Sequence, residues 1–264
     1  RTGKSTFIKK FMDTLVIPNI TNSSQKERAV DELPQSAAGR TIMTTEPKFV
    51  PSEAAVINLN EDCEVKVRLI DCVGFMVDGA AGHIEDEHER MVKTPWSDDS
   101  IPFSQAAEIG TRKVINEHST VGVVVTSDGS FGELSRSSYE AAEKPAVTEL
   151  NNIGKPYVII LNTSRPYSEE TAALAESMME EYHVSVIPVN CEQIKKDDIT
   201  NIMNKLLMEF PVTRINYYIP KWVEMLSMEH ELKQNLVGNI KNNMKKVNAL
   251  KDMGNYNFEY EGDY

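Results

Sequence analysis

Arg1-Thr2-Gly3-Lys4-Ser5-Thr6, with the apolar pair Phe7-Ile8 directly behind it, opens the chain and decides how the rest is read. Gly-Lys-Ser/Thr at the start of a helix is the second half of a Walker A phosphate loop. Phosphates are anionic and need several donors at once. A glycine turn lets backbone N–H groups approach them, and the helix N-terminus adds a favourable dipole. In that reading Lys4 reaches the β- and γ-phosphates and the Ser5 hydroxyl ligates Mg²⁺. The full spacing is G-x-x-x-x-G-K-[ST], so the first glycine would lie five residues ahead of Gly3. The tripeptide also occurs by chance, and an exposed tail carrying a lysine is the plain alternative. The expectation is a fragment trimmed at its start inside the motif, with the preceding strand before Arg1.

A second motif raises the phosphate-loop reading. Val67-Arg68-Leu69-Ile70-Asp71-Cys72-Val73-Gly74 is an apolar strand ending in Asp-x-x-Gly. In phosphate-loop NTPases such an aspartate holds Mg²⁺, and the glycine N–H senses the γ-phosphate. Alone, Asp71 could equally be a loop cap or turn former. Sharing one parallel sheet with Gly-Lys-Ser-Thr makes the nucleotide reading the stronger. Thr44 and Thr45 lie between the two motifs. A threonine there can close over the γ-phosphate, its hydroxyl or carbonyl reaching Mg²⁺ and the attacking water. Two ordinary strand threonines fit the same residues.

Hydrophobic periodicity places these motifs. A helix is expected over 5–15, with Phe7, Ile8, Phe11 and Leu15 near one face. Residues 18–40 read as a surface loop with a short helix, 41–51 as a strand edge interrupted by proline. Residues 54–59 and 64–70 read as strands joined by the turn Asn60-Glu61-Asp62, the second alternating Val65, Val67 and Leu69 with Lys66 and Arg68. Residues 75–104 read as a long loop, and Ser104 as the cap of a helix to about residue 117. From there strands at 121–126, 157–161 and 184–189 alternate with helices at 139–152, 169–182 and 198–210. The first of those strands is a continuous apolar run, the mark of a buried parallel strand. This is the pattern of an α/β fold with a mostly parallel sheet. Asp128 follows a strand at the carboxyl edge, where ligands bind in such sheets, or serves only as a turn residue.

After Pro211 the pattern changes. Residues 212–219 read as a strand, 221–228 and 229–246 as helices, and the tail from Asn255 to Tyr264 is aromatic and acidic. Two domains are expected: 1–211, a phosphate-loop domain, and 212–264, the truncated beginning of a second α/β domain.

Composition narrows the partners. The chain has 264 residues, 41% hydrophobic and 26% charged, as for a soluble globular protein. A net charge of −12 disfavours nonspecific nucleic-acid binding and an electrostatic grip on anionic lipid. No stretch of 18 apolar residues is present. Cys63, Cys72 and Cys191 are odd in number and scattered, which argues against a disulfide framework or zinc site and fits a reducing cytosol. His83 and His88 among Glu85, Asp86, Glu87 and Glu89 read as a solvated loop face rather than a metal cluster.

The base preference is read from an absence. GTPases carry Asn-Lys-x-Asp after the strand here ending near residue 161, and the aspartate accepts from guanine. This chain has Asn162-Thr163-Ser164-Arg165. Arginine cannot accept a hydrogen bond, so a guanine would leave donors unpaired. The sequence leans to ATP. Phe75 stands after Gly74, where Ras-like GTPases have a water-orienting glutamine. Intrinsic hydrolysis is expected to be slow or to use another group to position water.

With these residues assembled, the chain resembles the stage IV sporulation protein A family, coat morphogenetic ATPases of endospore-forming bacteria. The carrying stretches are residues 1–9, Arg40-Thr41-Ile42-Met43-Thr44-Thr45-Glu46-Pro47-Lys48-Phe49-Val50-Pro51, and 67–74, extended by Val124-Val125-Thr126-Ser127-Asp128-Gly129 and Gly154-Lys155-Pro156. The resemblance implies a phosphate-loop NTPase fold, GTPase-like and of the translation-factor class, that has switched to ATP. It implies catalysis by Lys4, Thr44, Thr45 and Asp71, nucleotide contacts from Thr2, Gly3, Lys4, Ser5, Thr6, Gly74 and Asn162, and Mg²⁺ held by Ser5, Thr45 and Asp71. It also implies ATP hydrolysis that drives self-association into a polymer, the basal layer of the spore coat, in the mother-cell cytoplasm at the outer forespore membrane. Other coat proteins and a small membrane peptide would be partners, through regions outside this fragment. A nucleotide-state-dependent regulatory GTPase and a non-catalytic structural coat protein are the alternative readings.

Overall fold

The computed structural model describes residues 2–20, 22–34, 47–60, 63–77, 84–85, 88–95, 97–132 and 134–255. The chain divides into two units, Arg1–Asn204 and Lys205–Tyr264.

The first unit begins with helix α1 (Lys4–Phe11), which continues through a wider i→i+5 winding over Met12–Val16 into α2 (Ile17–Asn19). Phe7, Ile8, Phe11 and Leu15 are all buried, the face expected from their spacing. Helix α3 (Ser23–Asp31) is the short helix expected within 18–40; the Asn22 side chain accepts from the N–H groups of Ser24 and Gln25 at its start. Strands β1 (Lys48–Asn60) and β2 (Cys63–Asp71) form a two-stranded antiparallel sheet. One long strand, irregular between Val50 and Ala55, replaces the expected strand edge and separate strand. On β2, Val65, Val67 and Leu69 are half-buried while Lys66 and Arg68 are exposed, as the alternation predicts.

The expected loop over 75–104 contains paired strands. Antiparallel partners β3 (Ile84–Glu85) and β4 (His88–Glu89) are followed by β5 (Met91–Thr94) and β6 (Ser97–Pro102). Short pairs of this kind carry too few alternating apolar residues to register as periodicity. Helix α4 (Phe103–Lys113) runs on as i→i+5 turns over Val114–His118. Its N-cap is Pro102, and Ser104, expected as the cap, instead donates its hydroxyl and N–H to Glu89.

Among the described residues the parallel sheet has three strands: β7 (Gly122–Ser127), β8 (Tyr157–Asn162) and β9 (Val186–Val189), in that order. Helix α5 (Arg136–Ile153) connects the first two and α6 (Glu169–Tyr182) the last two. Gly154 ends α5 at φ 69°, a left-handed turn that a Cβ would penalise. Every residue of β8 is buried. Ile159 and Leu161 share a core with Val147 and Leu150 of α5 and Ala175 and Met178 of α6. The β7 run, expected to be buried, is half-exposed, with Val123 at 36%. Among the described residues β7 pairs with β8 alone, and burial on both sides needs a second neighbour. Lys155 donates to the carbonyls of Ile115, Asn116 and Ser119, satisfying acceptors that the winding after α4 leaves open. Helix α7 (Lys196–Met208) begins in this unit.

The second unit is helical among its described residues. It holds α8 (Lys221–Glu224), α9 (Glu231–Met244) and a 3₁₀ turn over Leu250–Asn255. The strand expected over 212–219 is not formed: exposure rises and falls along the segment, but no ladder flanks it, and a strand needs a hydrogen-bonded neighbour. An isolated bridge joins Pro211 to Ala249. The described residues therefore show no second α/β arrangement there.

Candidate functional site

Gly3 sets the site. It stands at the N-cap of α1 with φ 98°, and its carbonyl accepts the first helical bond from Phe7 N–H at 2.8 Å. The left-handed turn sends the chain into the helix with the first-turn N–H groups at its open end, the arrangement that suits an anion. No acidic residue occupies that first turn.

Lys4 and Ser5 meet Asp71 at the end of β2. Lys4 Nζ is ion-paired to Asp71 Oδ1, and Ser5 Oγ lies 3.4 Å from Asp71 Oδ2. Asp71 thus meets Lys4 and Ser5 although β2 and the parallel sheet are separate among the described residues. Among the described residues β2 pairs with β1 alone, antiparallel, and α1 brings Lys4 and Ser5 to Asp71; a sheet shared by the two motifs is not seen among those residues. A hydroxyl and a carboxylate oxygen side by side are hard donors of the kind Mg²⁺ takes when water and phosphate complete its shell. The donor set fits that ion.

Asn162, at the carboxyl end of β8, ties the turn to the sheet. Its Nδ2 donates to Thr2 O at 3.1 Å, and its Oδ1 accepts from Cys191 N–H at 3.0 Å. Asn162 therefore braces the loop from beneath, with its amide engaged at both ends. Thr6 sits half-buried in the first turn of α1. Gly74 lies three residues past Asp71 at φ 85°, its N–H donating to Thr111 Oγ1 of α4 at 3.1 Å. Thr44 and Thr45 lie outside the described residues.

The loops after β7 and β8 are joined by Asp128. Its Oδ2 accepts from the Thr163 hydroxyl at 2.6 Å and its Oδ1 from Ser130 N–H at 2.8 Å, while Ser130 Oγ accepts from Ser164 N–H at 2.8 Å. Asp128 acts here as a turn former that also crosses to the next loop. Burial alone would raise its pKa, but hydrogen bonds from Ser130 and Thr163 outweigh that and hold it below the usual value. A carboxyl depressed on folding stabilises the fold above its unfolded pKa of about 3.9 and loses that contribution as pH falls through the lower folded value. Thr163→Val is therefore expected to destabilise at neutral pH and to cost less in acid. Denaturant midpoints at the two pH values check this; an equal loss at both would remove Asp128 from the explanation.

Arg165, in the position where a guanine-reading aspartate would stand, is exposed and pairs with Glu170 at 3.2 Å. Cys191, Thr163 and Thr111 were not singled out by motif. The signal for Cys191 was its place just beyond β9, at the same sheet edge as Asn162. It is fully buried, and burial pushes its thiol up to about 12. Among the described residues, no group of three or more His, Cys, Asp or Glu is placed to hold a metal ion, and no helix is long and apolar enough to cross a membrane.

Comparison with known proteins adds to this geometry. The family model for stage IV sporulation protein A, ATPase domain, matches residues 1–211, and that for the middle domain of the same protein matches residues 212–264. The chain is 51% identical over 253 residues to stage IV sporulation protein A of Bacillus anthracis, covering 96% of this chain and 51% of the relative. The protein of the same name from Bacillus subtilis (strain 168) is 47% identical over 96% of this chain and 51% of its own length. That of Clostridioides difficile (strain 630) is 46% identical over 96% and 52%. The chain spans about half the length of the curated relatives it matches.

Proposed function

Because the chain belongs to the stage IV sporulation protein A family, we propose that it carries the nucleotide site of a sporulation ATPase and that Mg²⁺-ATP is its substrate. The observation that carries the reading is the convergence of Lys4 and Ser5, at the open end of α1, on Asp71. The fold reading is a phosphate-loop NTPase of the GTPase-like, translation-factor class.

In this account the first-turn N–H groups after Gly3 receive phosphate oxygens, with Thr2 and Thr6 flanking them. Lys4 exchanges its partner, leaving Asp71 for the β- and γ-phosphates. Ser5 and Asp71 would hold Mg²⁺, with Thr45 as the third protein ligand. Mg²⁺ held there would supply positive charge against the phosphate charge that phosphoryl transfer redistributes. Asn162 holds the loop in register through Thr2. Phe75 cannot orient a water molecule, so Thr44 and Thr45 take that task. Arg165 supplies no acceptor for guanine N–H groups, which favours adenine.

For the whole protein we propose that hydrolysis drives self-assembly into the basal layer of the spore coat, in the mother-cell cytoplasm at the outer forespore membrane. Other coat proteins and a small membrane peptide are its proposed partners. The domain division proposed is 1–211 for the ATPase domain and 212–264 for a following domain.

Turnover of ATP against GTP by the full-length protein tests the reading. ATP is expected to be hydrolysed with at least roughly tenfold preference, since a single unmet hydrogen-bonding group costs about 1–3 kcal/mol. A preference for GTP would move the assignment to a regulatory GTPase. Binding of ATP without turnover would favour a structural coat protein.

A further inference from the structure

The segment from Asp71 to Phe75 is held at three points. Asp71 is paired with Lys4. Phe75 packs against the core under the parallel sheet. Between them, Gly74 N–H donates to Thr111 Oγ1 at 3.1 Å. Thr111 is 4% exposed in the last turn of α4, so its hydroxyl is fixed in place. Gly74 has φ 85°, and among the described residues no atom beyond its chain neighbours lies within 4 Å of where a Cβ would sit. The positive φ, rather than a close neighbour, is what specifies glycine there.

Resting on the reading of this site as an ATP site, we propose that Thr111 is a positioning residue for nucleotide state. Its hydroxyl holds the Gly74 N–H whenever no terminal phosphate is present to take it, and ATP must draw that N–H from Thr111 to its own γ-phosphate. The exchange is one acceptor for another. A partly buried N–H is satisfied in both states, so neither carries the penalty of an unmade bond. ADP offers no γ-phosphate and leaves the Thr111 bond intact. Thr111 therefore competes with the γ-phosphate and lowers the preference for ATP over ADP. The same competition gives the Asp71–Phe75 segment two defined positions, one on α4 and one on the nucleotide.

The test is binding of a non-hydrolysable ATP analogue and of ADP to the full-length protein and its Thr111 variants. Thr111→Val keeps the shape and removes the acceptor. It is expected to raise the analogue-to-ADP affinity ratio several-fold, because in the ADP state the Gly74 N–H is then left with only the weakly accepting Cys72 sulfur beside it. Thr111→Ser keeps the acceptor and is expected to hold the wild-type ratio. Thr111→Ala, which removes the same acceptor, gives the same reading where the valine variant fails to fold. A merely structural threonine would weaken both nucleotides alike, and an unchanged ratio in both variants overturns the proposal. Failure of the wild-type protein to bind the analogue would overturn the ATP-site reading and the role of Thr111 with it. Normal wild-type binding with an unchanged variant ratio overturns only the role of Thr111.

Discussion

Lys4→Ala in the full-length protein is expected to lower ATP turnover by roughly 10²–10³-fold or more, the scale on which a positioned charge acts in a transition state. Lys4 stands one residue past the Gly3 turn, and its ammonium already reaches the carboxylate beside which the metal and phosphates would lie. Phosphoryl transfer spreads negative charge over the γ-oxygens, and the protein contributes mostly position and compensating charge. Alanine removes that charge and leaves Asp71, with a side chain only 15% exposed, without its partner. Asp71→Asn keeps the shape but offers the metal a neutral oxygen, so turnover is expected to fall comparably. The two variants separate in binding. Lys4→Ala weakens ATP with or without Mg²⁺, whereas Asp71→Asn weakens chiefly the Mg²⁺-dependent part. Retained turnover in either variant would place the chemistry elsewhere.

Gly3→Ala is expected to have the second largest effect, and it acts through the backbone. The φ of 98° costs a residue with a Cβ roughly 1–2 kcal/mol. That Cβ would stand 2.5 Å from Asn162 Nδ2 and 3.2 Å from its Cγ. Asn162 cannot swing aside freely, because its amide is bonded to Thr2 O and to Cys191 N–H. Moving it would break two hydrogen bonds, each worth about 0.5–1.5 kcal/mol net. The loop gives way first, and ATP affinity is expected to fall more than about tenfold, since each 1.4 kcal/mol is a factor of ten. Adding Asn162→Ala to Gly3→Ala removes the clash but not the backbone strain. Partial recovery in an ATP titration is therefore predicted; full recovery would show that crowding alone specifies glycine.

How much of this was legible in the sequence depends on the range of the interactions involved. The α1 face and the β2 alternation were readable because a local period carries them. The three parallel strands were readable as apolar runs between amphipathic helices, and Gly154 as the end of α5. The pairs β3–β4 and β5–β6 were not, since two- to six-residue strands rich in acids and His resemble loop. The segment 212–219 alternates like a strand, but a strand is defined by its neighbour, which a local pattern does not contain. The same limit applies to β7, whose apolar run does not say how many strands flank it.

At the site, Gly3, Lys4, Ser5 and Asp71 were readable from motif spacing, and the structure brings them together. Asn162 was readable as a site residue, but its bracing of Thr2 and Cys191 depends on contacts across 160 residues and 29 residues. Thr111 sits on a helix that carries no motif, and its bond to Gly74 spans 37 residues. Asp128 left two readings open, and its bonds to Ser130 and Thr163 give the turn former a second role in joining two loops.

The most direct measurement is calorimetric titration of the full-length protein with ATP in the presence and absence of Mg²⁺, with GTP in a parallel cell. The account predicts binding of ATP that tightens with Mg²⁺, is lost in Lys4→Ala, and exceeds that of GTP by at least roughly tenfold. Mg²⁺-independent binding unaffected by Lys4→Ala, or tighter binding of GTP, would contradict it.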